Sequence, residues 1–240
     1  MHRFYHQISL EGKDSFILND PNVAHQISRV LRMKVGDQIA IFNGSGIDYI
    51  CEITEIDKRL VACNVLSQNK PDTERPLYVH IYQAVPHTWS KFEDVLKKCT
   101  EIGASDFYPL ITHRCETKLK DGEEPPKEDR LNKIIIEACE QCGASVLPKL
   151  HNVISLESAM KSAPGIKIMA YEDESNRSLE DLVSNIKQSG EVSIFIGPEG
   201  GITEDEAELF RSHGGLTFHL GKRILRTETA SVAVLSRIVL

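Results

Sequence analysis

No uninterrupted apolar run in these 240 residues approaches the length of a membrane span. The opening stretch, Met1 to Leu10, carries His2, Arg3 and His6 among aromatics. It lacks the apolar core and small-residue cleavage site of a signal peptide. A cytoplasmic protein with no membrane attachment is therefore expected. A basic excess is missing too: 28 Lys and Arg against 35 Asp and Glu leave a formal net charge of −7. A generic nucleic-acid binder usually shows the opposite balance. Affinity follows local clusters of Lys and Arg rather than the sum, so the class is made less expected but not removed. The six cysteines, Cys51, Cys63, Cys99, Cys115, Cys139 and Cys142, lack the small secreted context of a disulfide framework. Cys139 and Cys142 have metal-ligand spacing, but no second CxxC or paired histidine completes a tetrahedral set, so no metal is expected. Internal repeats and low-complexity segments are absent as well.

What is present divides into two patterns. Residues 1–70 read mostly as strand, at 3–8, 38–43, 47–56 and 60–66, with Gly44-Ser45-Gly46 as a hairpin turn. One helix, about 22–33, follows Asp20-Pro21, a cap residue with proline at the first helical position. A small β-barrel-like domain is the expectation. Residues 71–76, at the end of a polar stretch with two prolines, read as a linker. From residue 77 to 240 strands alternate with helices, which implies a mostly parallel sheet in an α/β domain. Ligands of such sheets bind beyond the carboxyl ends of the strands.

Two such strand ends carry irregular loops. Ile194-Phe195-Ile196 runs into Gly197-Pro198-Glu199-Gly200-Gly201, and a helix then starts at Thr203, whose spacing to Glu206 is that of a capping box. Glycines let backbone amides and carbonyls come close to a ligand. A phosphate cradle is disfavoured: no Gly-Lys-Ser/Thr follows, GxGxxG is absent, and Glu199 puts a carboxylate where phosphate would sit. The second loop, Leu220-Gly221-Lys222-Arg223-Ile224-Leu225-Arg226-Thr227-Glu228-Thr229-Ala230, again links a strand to a helix. Two such loops side by side form a pocket of backbone donors and acceptors, suited to an adenine ring and a ribose, with Ile224 and Leu225 as apolar walls. Tyr171-Glu172 ends another strand close by. Arg226 gains nothing from a helix N-terminus, which prefers anions. Its position points to another task, against the ordinary alternative of a surface ion pair with Glu228 or Glu199.

These two long motifs resemble those of the RsmE family, 16S ribosomal RNA uridine-N3 methyltransferases of the SPOUT superfamily. Weaker matches extend the likeness over nearly the whole chain: His25 with Val30-Leu31-Arg32, Gly36-Asp37, Gly44-Ser45-Gly46, Lys98-Cys99-Thr100-Glu101-Ile102-Gly103, and Glu137-Ala138 with Glu140-Gln141. The resemblance implies a PUA-like N-terminal domain that binds RNA and a C-terminal SPOUT domain with a deep trefoil knot, a topology too rare to propose from the pattern alone. It implies S-adenosylmethionine bent against Tyr171, Glu172, Ile196, Gly197, Pro198, Glu199, Gly200, Gly201, Leu220, Gly221, Ile224, Leu225 and Thr229. It further implies a homodimer acting on 16S rRNA within the 30S subunit. One departure stands out: the family usually carries arginine shortly after Glu140-Gln141, and Gly143-Ala144-Ser145-Val146 has none.

Chemistry assigns roles within that frame. Uracil N3 is nucleophilic only once its proton leaves, and the charge then spreads to the neighbouring carbonyl oxygens. A guanidinium suits that charge, so Arg226 is expected to stabilise it, with Glu199 or Glu228 taking the proton. N3 lies on the pairing edge, so the target must be unpaired or pulled from its stack. Arg3, Arg29, Arg32, Lys34, Lys98 and Arg114 are the expected phosphate contacts, with Arg29 and Arg32 on one helix face. Two rivals remain: ribose 2′-O-methylation of tRNA or rRNA, separated by the methylated product, and a non-catalytic RNA-binding module, separated by cofactor binding.

Overall fold

The computed structural model describes every residue except Arg75. That position of the expected linker lies outside the described residues. The chain divides into two compact units, Met1–Glu74 with Cys139–Leu147, and Arg75–Ala138 with Pro148–Leu240. The sequence pattern puts 139–147 wholly in the second domain. Its partners lie in the first: Ser145 and Val146 donate backbone N–H bonds to Glu74 at 2.7 and 3.0 Å, and Thr73 Oγ1 donates to the Gly143 carbonyl at 2.9 Å. These bonds join residues about seventy positions apart, which no local pattern records.

The first unit is built on β1 (His2–Tyr5), β2 (Ser15–Leu18), α1 (Pro21–His25), β3 (Gln38–Phe42), β4 (Asp48–Ile56) and β5 (Val61–Asn69). Its sheet order is β1-β3-β4-β5-β2, with β1 parallel to β3 and the other pairs antiparallel. No ladder joins β1 to β2 among the described residues, so the expected barrel is an open path in its hydrogen bonding. Phe4, Leu18, Ile27, Ile39 and Ile41 pack its core. Strand β2 is too short for its alternation to stand out in sequence; only Phe16 and Leu18 turn inward. Asp20 caps α1, accepting from the Asn22 N–H at 2.8 Å, with Pro21 at the first position. The expected helix does not continue to residue 33. A wider π-helical turn, Gln26–Val30, closes with Leu31 N–H donating to the Gln26 carbonyl at 2.9 Å. Arg32 then takes φ +54°, which ends the helix.

The second unit contains β6 (Tyr78–Ala84), α2 (Trp89–Ile102), β7 (Asp106–Ile111), α3 (Glu128–Cys142), β8 (Lys149–Leu150), β9 (Ile154–Ser155), α4 (Leu156–Ser162), β10 (Ile166–Ala170), α5 (Glu180–Ser189), β11 (Glu191–Ile196), α6 (Glu204–Ser212), β12 (Leu216–Phe218) and α7 (Thr227–Val239). The last turn of α3 counts with the first unit. Every pairing in the sheet is parallel, in the order β12-β10-β11-β6-β7-β8, with β9 also on β7. The chain first builds outward from β6 through β7 to β8. It then crosses to the other side, and β11 inserts between β10 and β6. The order therefore reverses next to β6, and a crevice beyond the carboxyl ends of the strands is the consequence. Tyr108, Tyr82 and Phe195 stack in sequence across β7, β6 and β11, at 4.4 Å between successive ring centroids, and hold the three strands in register.

Candidate active site

Three strands, β10, β11 and β12, end at one cavity of about 690 Å3. Tyr171 and Glu172 line it after β10, and Ile196, Gly197, Pro198, Glu199 and Gly201 line it at the end of β11. Leu220, Gly221, Ile224, Leu225 and Arg226 line it after β12. Chain segments far apart in sequence thus meet because their strands are neighbours in the sheet. Gly200, Glu228 and Thr229 do not line the cavity. Helical geometry explains the last two: Thr227 and Ala230, three residues apart, face the cavity, and the two positions between them rotate away. The Glu228 carboxylate has one oxygen buried without a hydrogen-bond partner. Gly200 faces outward, and its carbonyl accepts from Arg114 Nη1 at 2.7 Å.

The glycine loop leaves no space to spare. Gly201 has φ +75°, and a Cβ there would lie 2.6 Å from the Glu172 carboxylate. A Cβ on Gly197 would lie 2.9 Å from Ile202 Cγ1. The helix after the loop starts as the spacing requires: Thr203 Oγ1 accepts from the Glu206 N–H at 3.2 Å, and the Glu206 carboxylate accepts from the Thr203 N–H at 3.0 Å.

A buried polar chain ties the start of α7 to this loop. Gln83 Nε2 donates to Thr227 Oγ1 at 2.7 Å, and Thr227 Oγ1 donates to the Gly197 carbonyl at 2.6 Å. Ser231 Oγ donates to Gln83 Oε1. Gln83 and Ser231 are fully buried, so these bonds have no competition from water. They fix the backbone from which Arg226 projects. The Arg226 side chain is exposed and makes no hydrogen bond or ion pair among the described residues. The pairing with Glu199 or Glu228 weighed from sequence does not form.

Glu199 has other partners. Both its oxygens accept from the His87 N–H at 3.2 Å, and Oε1 lies 2.7 Å from Lys91 Nζ. Burial pushes its carboxyl up, but the Lys91 hydrogen bond and the backbone donors outweigh that and hold it below the ordinary carboxylate range. Glu199 is accordingly an anion. The Tyr171 phenol is raised by burial first and then by Asp173, so it stays protonated.

Lys91, Ala170, Ile202, Phe218, His219, Lys222, Arg223, Thr227 and Ala230 line the cavity beyond the residues picked from sequence. Most flank the motifs and were within reach of sequence reasoning. Lys91 carried no signal: it stands in the first turn of α2, more than a hundred residues before Glu199.

The expected phosphate contacts fare unequally. Arg29, Arg32 and Lys34 are exposed on the first unit, and Lys98 is exposed on α2. Arg29 and Arg32 do not share a helix face, because Arg32 lies past the helix end with φ +54°. Arg114 is committed to the Gly200 carbonyl. Arg3 is drawn inside the first unit, paired with Asp48 and donating to the Ala144 carbonyl at 2.9 Å and Ser145 Oγ at 3.1 Å. Its guanidinium braces the loop at Ala144 and Ser145.

A model of the RNA methyltransferase domain matches residues 73–239, and one of the RNA methyltransferase PUA domain matches residues 18–66. The chain is 33% identical to the ribosomal RNA small subunit methyltransferase E of Bacillus subtilis, over 99% of this chain and 96% of that relative. The enzyme of the same name from Rickettsia conorii is 28% identical over 98% and 94%. Among solved structures, a ribosomal RNA small subunit methyltransferase E from Neisseria gonorrhoeae, bound to S-adenosyl methionine, superposes with a TM-score of 0.88. That structure is 28% identical and covers 99% of this chain and 96% of its own.

Proposed function

This chain belongs to the ribosomal RNA small subunit methyltransferase E family, and from that premise we propose that it methylates N3 of a uridine in 16S rRNA, using S-adenosylmethionine. The observation that carries the reading is the cavity at the ends of β10, β11 and β12, lined also by Arg226, which has no side-chain partner among the described residues. The residues present fit the cofactor. The cavity lies within the usual range of about 300–1,000 Å3 for small-ligand sites. Gly197 and Gly201 line it without side chains, so bare backbone is what a ligand meets there. Ile196, Leu220 and Leu225 supply apolar wall for a purine, and backbone groups between Gly197 and Gly201 supply its polar partners.

When bound, S-adenosylmethionine supplies a methyl group already activated on a sulfonium. The chain's own work is then alignment and charge. Arg226 neutralises the charge that develops on the uracil oxygens as the N3 proton leaves. Glu199, an anion facing the cavity, accepts the N3–H hydrogen bond and passes the proton to water. Glu228, turned from the cavity, serves α7 as an acidic residue in its first turn.

The same reading includes the SPOUT knot. Support comes from the path of the C-terminal segment: it leaves β12 at the sheet edge, recrosses the ends of β10 and β11, and docks Thr227 against Gly197 and Gln83. It also includes a cytoplasmic homodimer acting on the 30S subunit, in which a second copy would cover Ile224, 83% exposed at the cavity rim. No helix among the described residues is long and apolar enough to cross a membrane.

The test is to incubate the protein with unmodified 30S subunits and labelled cofactor, then digest the RNA to nucleosides. 3-Methyluridine is the expected product. A ribose-methylated nucleoside would overturn the N3 assignment, and no cofactor binding would leave an RNA-binding module.

A further inference from the structure

We propose that Lys91 is a positioning residue for methyl transfer, anchoring the Glu199 carboxylate across the cavity mouth so that it meets the uracil edge as a fixed anion. This rests on the reading of the reaction given above.

Lys91 is the one residue of α2 that lines the cavity; the rest of the wall comes from the β10, β11 and β12 ends and the start of α7. Its ammonium reaches Glu199 at 2.7 Å, and the two side chains are 34% and 35% exposed. At that exposure the pair adds little to stability. What it does is restrict geometry. Glu199 is held from two directions, by Lys91 on α2 and by the His87 N–H in the loop before it. Free rotation of an exposed glutamate is thereby removed.

Among the described residues no other charged side chain pairs with this carboxylate. The His87 imidazole is engaged with Glu116 at 2.9 Å, and Arg114 holds the Gly200 carbonyl. Glu172 stands beside Gly201, where its repulsion would discourage a second anion. Lys222, Arg223 and Arg226 line the cavity from the β12–α7 segment, and none of them pairs with Glu199. Lys91 is therefore the cation that offsets the burial of Glu199. Without it, burial would act with less opposition, and Glu199 would take up a proton at a higher pH.

Protonated Glu199 could not take up the N3 proton, which makes the consequence measurable. Lys91→Met, Lys91→Arg, Glu199→Gln and the Lys91→Met/Glu199→Gln double variant are compared on the full-length protein, with melting temperatures to establish folding. In the first arm, carbon-13 labelled glutamate is titrated by NMR without cofactor or RNA, and the Glu199 signal is assigned by its loss in Glu199→Gln. The Glu199 midpoint should rise by about one pH unit or more in Lys91→Met and stay in place in Lys91→Arg. In the second arm, methylation of 30S subunits is followed against pH. Lys91→Met should lose about tenfold more rate at the acid end than at the alkaline end, and should lose nothing further in the Glu199→Gln background. An unmoved Glu199 midpoint, or an equal loss at every pH that adds fully to Glu199→Gln, overturns the proposal. If the wild-type product carries its methyl on ribose, the N3 reading falls by itself, and the Lys91→Met profile is read on that product.

Discussion

Most of the arginines with a clear task are committed to partners within their own unit. Arg3 pairs with Asp48, Arg114 with a backbone carbonyl, Arg130 with Glu93 and Arg237 with Glu180. Arg226 is held by its backbone alone, its carbonyl accepting from the Thr229 and Ala230 N–H groups at 2.9 and 2.8 Å. An anchored backbone with a free guanidinium suits a group that waits for developing charge. Arg226→Ala should therefore cost about 100- to 1,000-fold in the methylation rate while calorimetric cofactor affinity stays near wild type. Full activity in that variant would remove Arg226 from the mechanism. A second charged group works elsewhere. At the amino end of the sheet, Asp106 lies 2.9 Å from His80 and 3.0 Å from His151, and His80 also reaches Glu191 at 3.2 Å. Burial pushes the Asp106 carboxyl up, but its histidine hydrogen bonds prevail and bring it to about 2. Burial pushes the His80 imidazole down, but its bonds to Asp106 and Glu191 prevail and raise it above 6.5. A raised histidine stabilises fully below its ordinary value and ceases to as pH climbs through the folded one. The lowered aspartate contributes above 3.8 and ceases to as pH falls toward 2. Melting temperature should fall as pH rises above the ordinary histidine range, and His80→Gln should flatten that slope. An identical slope in the variant would assign the dependence to other groups.

At the scale of elements, the glycine loop between β11 and α6 is tightly constrained. Its helix is started by a reciprocal cap at Thr203 and Glu206, and its entry passes through Gly201 at φ +75°. Gly201→Ala brings both backbone strain and a collision with Glu172. Cofactor affinity should drop about tenfold or more, equivalent to about 1.4 kcal/mol, in a titration of the folded variant. Unchanged affinity would mean that the loop relaxes without cost. The α1 region shows the opposite behaviour. A cap and an apolar pattern predict one helix to residue 33, yet the turn widens after His25 and stops at Arg32. Buried Ile27 and Ala24 supply the apolar period that makes the segment read as a longer helix. Wider π-type turns have no such signature, because they differ from α-helix only in which carbonyl each N–H selects.

At the scale of the whole molecule, a net charge of −7 must be reconciled with an RNA substrate. Arg29, Arg32 and Lys34 are exposed close together in sequence on the first unit, within the matched PUA domain at 18–66. Local cations of this kind bind phosphate whatever the overall sum. Affinity for 16S RNA should fall steeply with salt, and Arg32→Ala should reduce the magnitude of the log–log slope by about one. A salt-independent affinity would exclude these residues as phosphate contacts.

The sequence by itself determined the alternation of strand and helix after residue 77, the two irregular strand-to-helix loops, the capping box and the family. Each is written in neighbouring residues, as periodicity, glycine placement or a contiguous motif, so a linear reading reaches it. Tertiary structure decided the rest. It joined segment 139–147 to the first unit through Glu74 and Arg3. It turned Glu228 and Thr229 from a cavity that Thr227 and Ala230 line. It withdrew Arg3 from the surface, and it set Lys91 on Glu199. Each of these depends on which strands become neighbours and which way a helix faces on docking. Those choices are settled by burial and hydrogen-bond satisfaction across the assembled core, to which residues a hundred positions apart contribute equally.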